Sequence, residues 1–244
     1  MIAQARAELL KIRTTRTTIG IVLGMIALIL LFSLLAGLLT KAPSLTSTDD
    51  QRGLLGVGST AAVFSALLGI MLVTSEYRHG TIRPTFLFTP RRSRVIGAKL
   101  TAGLLAGIGF GLVGEGLGFA IGCATLDGRG IDYALNAGQT TLLLLGTLAG
   151  VALWSALGVG IGTIVRNQVG AIIGLLAWGF IAENLLFAFV PSVGRFAPAH
   201  AQDALIGLTS KDLLPAAAGG AILLAWTIAF ALAATALAAR RDVT

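Results

Sequence analysis

Six long apolar stretches divide the chain, and polar residues are gathered mainly into the segments between them. The stretches run over 19–39, 54–74, 95–126, 141–165, 169–190 and 214–239. Each reaches the ~20 residues that a helix rising 1.5 Å per residue needs to cross a hydrocarbon layer. The runs are continuous, without the every-second-residue alternation of a membrane-facing strand, so helices are expected and a barrel is not. The third stretch is long enough to begin in the interface and tilt. Only Arg166-Asn167-Gln168 separates the fourth from the fifth. Arg16 before the first stretch and Ala42-Pro43-Ser44 after it imitate a signal peptide. Its apolar core of about 21 residues exceeds the ~7–15 of a signal sequence, so a retained span is expected. The expected fold is all-α: one polytopic membrane domain over 1–244 with six transmembrane helices.

Composition agrees with that pattern. The 244 residues are 55% hydrophobic and 12% charged, and the mean hydropathy is +0.88. A soluble domain carries about 25% charged residues, so this chain cannot clothe a water-soluble globule. Cys123 is the only cysteine, which excludes a disulfide-stapled scaffold. The 32 glycines show no triplet period, but many recur four residues apart: Gly20/Gly24, Gly103/Gly107/Gly111, Gly114/Gly118/Gly122, Gly146/Gly150, Gly158/Gly162 and Gly170/Gly174. Such spacing lets helices approach closely.

The net charge is +7, and where the charges lie decides what they mean. Of the 18 basic residues, 13 fall on one side of the spans: Arg6, Lys11, Arg13, Arg16, Arg78, Arg83, Arg91, Arg92, Arg94, Lys99, Arg166, Arg240 and Arg241. The other five, Lys41, Arg52, Arg129, Arg195 and Lys211, lie among Asp49, Asp50, Asp127, Asp132, Asp203 and Asp212. The positive-inside rule then puts both termini in the cytoplasm. The charge marks the inner face of a membrane and not a nucleic-acid footprint.

Three segments outside the spans carry information. In 1–17, Ile2, Ala5, Leu9 and Ile12 share one helical face while Gln4, Arg6, Lys11 and Arg13 lie mostly elsewhere. This pattern suits an amphipathic interfacial helix; a simple basic topogenic tail is the plainer alternative. The loop 75–94 places Phe86, Leu87 and Phe88 between Pro84 and Pro90, with arginines on both sides. Pro84 suits a helix start and Thr89-Pro90 a stop. A short helix here would present its phenylalanines to lipid or to a partner's groove. Glu76 stands two residues before Arg78, where an exposed local ion pair would contribute little. The outer segment 184–211 is broken by Pro191, Gly194 and Pro198 but is otherwise apolar. It reads either as short re-entrant helices covered by protein or as a mere end to span five.

Glu115 and Glu183 lie within spans three and five, each roughly 21–23 Å from the cytoplasmic edge. A carboxylate at that depth faces the bundle interior or a wet cavity. The functional reading is a shared polar site on a translocation path; the structural one is a protonated or locally hydrogen-bonded side chain. Catalytic motifs are missing. His79 and His200 fall on opposite sides of the membrane, so no two-histidine metal site is expected. Asp127-Gly128-Arg129-Gly130 reads as a turn. None of Lys11, Lys41, Lys99 and Lys211 follows a glycine, so there is no phosphate-loop lysine. The chain by itself is not expected to be an enzyme.

Glu76-Tyr77-Arg78-x-Gly80-Thr81-Ile82-Arg83, followed by Thr89-Pro90-Arg91-Arg92 and Lys99, resembles the loop between spans two and three of bacterial type-2 ABC exporter permeases. The likeness extends to the basic N-terminus, the six spans, the cytoplasmic ends and the interrupted apolar segment before the last span. It implies that 75–94 holds a cytoplasmic coupling helix that docks on a separate ATP-binding subunit. Glu76, Tyr77, Arg78, Gly80, Thr81, Arg83, Phe86, Phe88 and Arg91 are the implied coupling residues. Because Pro84 falls inside this segment, the helix would start later than is usual in the family. The resemblance further implies a connecting helix at the N-terminus and re-entrant outer helices. It also implies a homo- or heterodimer of permeases with two ATPase subunits, which bind the ATP and Mg2+, in the bacterial inner membrane among its lipids. The expected function is export of a hydrophobic or amphipathic substrate: a drug, antibiotic, peptide or lipid. The alternative is an ion-coupled carrier or small membrane enzyme using Glu115 and Glu183.

Overall fold

The computed structural model describes residues 2–82, 84 and 92–240. Among these it is helical throughout its regular structure, with no strand. The helices are α1 (Ile2–Thr14), α2 (Arg16–Leu39), α3 (Thr48–Leu55), α4 (Ala61–Arg78), α5 (Arg92–Gly128), α6 (Ala137–Val165), α7 (Gln168–Ala177), α8 (Glu183–Phe189), α9 (Pro191–Gly194), α10 (Pro198–Leu205) and α11 (Ala216–Arg240). Six helical segments are long and apolar enough to cross a membrane, in agreement with the hydrophobic pattern.

Several boundaries differ from the apolar runs. Helix α1 stops at Thr14 because Thr15 adopts an extended backbone, φ −87° and ψ 125°. The second span begins at Thr48, not near residue 54, since Ser47 caps α3 by accepting the Asp50 N–H. A 3-10 turn over Gly56–Thr60 then joins α3 to α4. The sharp passage from α6 to α7 is made by Arg166 in the left-handed region (φ 57°). Asn167 then caps α7 by accepting the Gly170 N–H at 2.8 Å. The fifth span is interrupted by a π-helical turn over Trp178–Ala182. The 184–211 segment is three short helices; α10 lies against α11 and α6, and Gly219 of α11 meets the Ala201 carbonyl. The short helix expected in the loop before residue 92 falls largely outside the described residues.

Helix α6 is the centre of the bundle, flanked by α4, α5 and α11. In its most apolar window 67% of residues are buried, against 17% for α2 and 11% for the fifth span. Small residues make this centre possible. On α5, Gly103, Gly107 and Gly111 face α6, while Gly114 and Gly118 face Gly58 in the 3-10 turn. On α6, Gly158 lies against the Ala66 carbonyl of α4, and Gly69 of α4 against the Ser155 carbonyl. Ser65 Oγ donates across the same interface to the Val151 carbonyl at 2.8 Å. The glycine spacing is silent at the periphery: nothing approaches a Cβ built on Gly20 or Gly174.

The end opposite the N-terminus is stitched by side chains. Buried Gln51 donates to the Leu45 carbonyl at 2.9 Å and to the Asp132 carbonyl at 2.8 Å, and accepts the Ala134 N–H at 2.8 Å. Arg52 donates to the Gly207 carbonyl, and Arg129 to the Thr40 carbonyl at 2.6 Å.

Glycine at the centre and glycine at the rim should therefore respond in opposite ways. Gly158→Val drives a side chain into the α4 backbone and is expected to destabilise by at least the ~1–3 kcal/mol of an overpacked core. Gly20→Ala is expected to be neutral or stabilising, by up to ~1 kcal/mol of helix propensity. Melting temperatures of the detergent-solubilised variants check both.

Candidate functional site

The buried face of α1 is not purely apolar. Ala5 and Ile12 are buried on it, and between them sits Glu8, also buried. The 5, 8, 9, 12 spacing puts all of these on the stripe that meets α5. Directly opposite is Lys99, the eighth residue of α5, whose side chain has no exposure. A bare ammonium in that position would be prohibitively costly. Lys99 Nζ is instead 3.0 Å from Glu8 Oε2 and 2.9 Å from Glu76 Oε1, and donates to the Leu72 carbonyl at 2.9 Å. Lys11 closes the cluster, 2.7 Å from Glu76 Oε1 and 3.1 Å from Glu8 Oε1. Two carboxylates and two ammonium groups thus fasten α1, α4 and α5 together.

Glu76 differs from its expected role. It does not form an exposed pair with Arg78; the last turn of α4 directs it inward, where it bridges Lys11 and Lys99. Arg78 is exposed and reaches Gln168 at the start of α7. The Arg166 guanidinium lies over the Tyr77 ring, 5.3 Å from its centroid. The loop after α4 then turns at Gly80, φ 69°, with Thr81 exposed and Ile82 buried. Arg83, Phe86, Phe88 and Arg91 lie outside the described residues. On the far side of the loop, Arg92 donates to the Ala238 carbonyl of α11 at 3.1 Å. The two roots of the 79–91 loop are thereby tied to α1, α5, the α6–α7 turn and the end of α11. A cleft of about 460 Å³ opens beside the cluster, lined by Lys11, Thr15, Thr18, Met71, Ser75 and Arg78 among others.

Burial opposes the charge of Lys11, but the hydrogen bond to Glu76 and the fields of Glu8 and Glu76 outweigh it and raise its pKa. A lysine raised in the folded state contributes stability that is complete below its ordinary value of 10.5 and is lost as pH climbs through the raised value.

The two carboxylates expected within the spans are both buried, in different surroundings. Glu115 sets its carboxylate against Gly58, with the Thr147 side chain of α6 as its hydrogen-bonding neighbour. Glu183, fully buried, accepts the Ala199 N–H on Oε2 at 2.8 Å and has the Trp178 side chain as a second hydrogen-bonding neighbour. Their polar neighbours differ: Gly58 and Thr147 for Glu115, Ala199 and Trp178 for Glu183.

Glu8 was not singled out by sequence, and Lys99 entered only as a positive charge and a motif position. Both carried a signal. Each is a charge at a helical position where its neighbours are apolar and buried, and such residues need partners of opposite sign. Comparison with protein-family models and with curated proteins finds no match.

Lys99→Met leaves Glu8 and Glu76 buried with only Lys11 to balance them. The expected loss is about 3–5 kcal/mol, as for a buried pair broken on one side. Adding Glu8→Gln and Glu76→Gln removes the stranded charges and should recover part of it. Thermal unfolding in detergent reads both, and Lys11→Met should flatten the loss of stability above pH 10.5.

Proposed function

We propose that this chain is the permease half of a type-2 ABC exporter, moved by a separate ATP-binding subunit. The observation that carries this reading is the anchoring of the 79–91 loop. A loop that only links two spans has no need of a buried four-charge cluster at its root. A loop that transmits force does: a push on it must move helices and not bend its own base. The Glu8–Lys11–Glu76–Lys99 cluster, the Tyr77–Arg166 contact and the Arg92–Ala238 bond supply that stiffness. The basic, proline-bounded character of the loop and its motif support an ATPase as the partner.

In this reading the loop and both termini are cytoplasmic, the membrane is the bacterial inner membrane, and 184–211 dips into the outer leaflet as re-entrant helices. Two permeases and two ATPase subunits make the working assembly. ATP and Mg2+ bind the ATPase, whose closure displaces the loop; the anchored helices follow as a unit, shifting the equilibrium between two packings. The cargo is hydrophobic or amphipathic. The rival, an ion-coupled carrier, draws support from the buried Glu115 carboxylate, but a relay would require Glu115 and Glu183 to communicate, and their neighbours differ.

The test is purification of the chain with its co-encoded ATP-binding subunit. Phe86→Ala with Phe88→Ala is expected to reduce co-purification or abolish ligand-stimulated ATP hydrolysis, at least tenfold, without lowering membrane insertion. Transport by the purified chain with no ATPase subunit would overturn the proposal.

A further inference from the structure

Three spans have an end at one place. The first begins at Arg16, the second ends at Arg78 and the fifth begins at Gln168. Residues at or beside all three ends line the cleft of about 460 Å³ next to the charge cluster. The cleft therefore sits where the hydrocarbon layer gives way to headgroups, on the side of the N-terminus.

Its lining changes with depth. Down α4 from Arg78 the wall passes Ser75 and reaches Met71 and Leu68, a descent of about 15 Å at 1.5 Å per residue. Down α2 it passes from Thr17 and Thr18 to Ile21. On both helices polar groups stand at the membrane surface and apolar ones below them.

Among the described residues, the titratable groups facing the cleft are Glu8, Lys11, Glu76, Arg78 and His79. Glu8 and Glu76, each 6% exposed, form the back wall and are turned to Lys99 and Lys11. Those four charges sum to zero, and Arg78 leaves the wall positive. His79 sets Nδ1 against the Ser75 carbonyl at 2.8 Å. The donors are at the rim. Lys11, its side chain 53% exposed, gives two of its three protons to Glu76 and Glu8. Exposed Arg78 gives one of five N–H groups to Gln168, at 3.5 Å. Helix α2 also starts here without a side-chain cap, because Thr15 Oγ1 donates back to the Lys11 carbonyl.

A free phosphate would use this rim and leave the apolar floor wet. An uncharged lipid would use the floor and leave the guanidinium without a counterion. An anionic phospholipid matches both. Arginine pairs with phosphate through two N–H groups, and basic pockets between spans attract acidic headgroups. The volume is within the range of ligand pockets and takes a headgroup, its glycerol and the upper part of one acyl chain. We infer that this cleft is a binding site for one anionic phospholipid of the adjoining leaflet, its phosphate held by Arg78 and Lys11 and a chain laid along Ile21, Met71 and Leu68.

The full chain, delipidated in detergent and without nucleotide or ATPase, is titrated with dioleoylphosphatidylglycerol or dioleoylphosphatidylcholine. Native mass spectrometry counts the lipid bound. One phosphatidylglycerol is expected to bind, with a midpoint at least tenfold below that of phosphatidylcholine. Arg78→Gln should raise this midpoint at least fivefold, and Met71→Trp, which fills the floor, should raise it too. Arg240→Gln removes an exposed charge on the same side, at the end of α11, and should leave it unchanged. Glycerol phosphate, which has the phosphate but no chains, should not displace the lipid. Equal midpoints for the two lipids would overturn the site, as would an unchanged midpoint in R78Q or M71W. So would R240Q weakening binding as much as R78Q, the behaviour of diffuse surface charge, or displacement by glycerol phosphate, the behaviour of a site for soluble anions. If a variant does not fold, the comparison of the two lipids and glycerol phosphate in the native chain decides alone. Since no ATPase is present, failure here leaves the exporter reading standing, and failure of that reading leaves this site standing.

Discussion

Lys99 carries a charge to a place where no part of its side chain meets solvent, and the arrangement of that end of the bundle follows from neutralising it. One carboxylate does not suffice, because the ammonium has three protons to place. Glu8 and Glu76 come from two different helices, and the Leu72 carbonyl takes the remaining bond. Helix α1 therefore lies against α5, and the last turn of α4 faces inward. Lys11 then offsets the second negative charge. A cluster of this kind is weak evidence for net stability, since apolar residues of equal volume would often hold as well. Its value is in register: only one placement of three helices satisfies every charge.

Away from that cluster the bundle is held by shape. Lipid tails are as apolar as leucine, so helices in a membrane associate through close packing more than through the hydrophobic effect. The glycines of α4, α5 and α6 bring backbones into contact, and α6 becomes a shared wall for its neighbours. Helix α2 and the fifth span lack such contacts. They show their apolar faces to the outside, with Leu38, Val169, Phe180 and Phe189 all largely exposed. The molecule is thus a tight centre with two looser spans at its rim.

The fifth span combines that looseness with its most irregular backbone. A π turn, a buried carboxylate and three short helices follow one another between Trp178 and Leu205. Short helices of this kind need partners to hold them, and α10 is held by Glu183 on Ala199 and by stacking of His200 on Phe187, 4.1 Å between ring centroids.

The six spans were legible in the sequence because a membrane imposes a length and a polarity on any helix that crosses it, and both are local properties. The basic, proline-bounded composition of 75–94 is likewise a local property, read directly from the residues. Periodicity also found the α1 stripe of Ala5, Leu9 and Ile12, yet it passed over Glu8 on that stripe. Glu76 was misjudged because its neighbour in sequence, Arg78, is not its neighbour in space. The pairing of Glu8, Glu76 and Lys99 spans 91 residues, and no local pattern carries information over such a distance. The separation of Glu115 from Glu183 was equally hidden: depth follows from counting residues, but the direction a side chain faces depends on helix rotation. That rotation was decided by which glycines found a partner backbone, a contact between residues far apart in sequence.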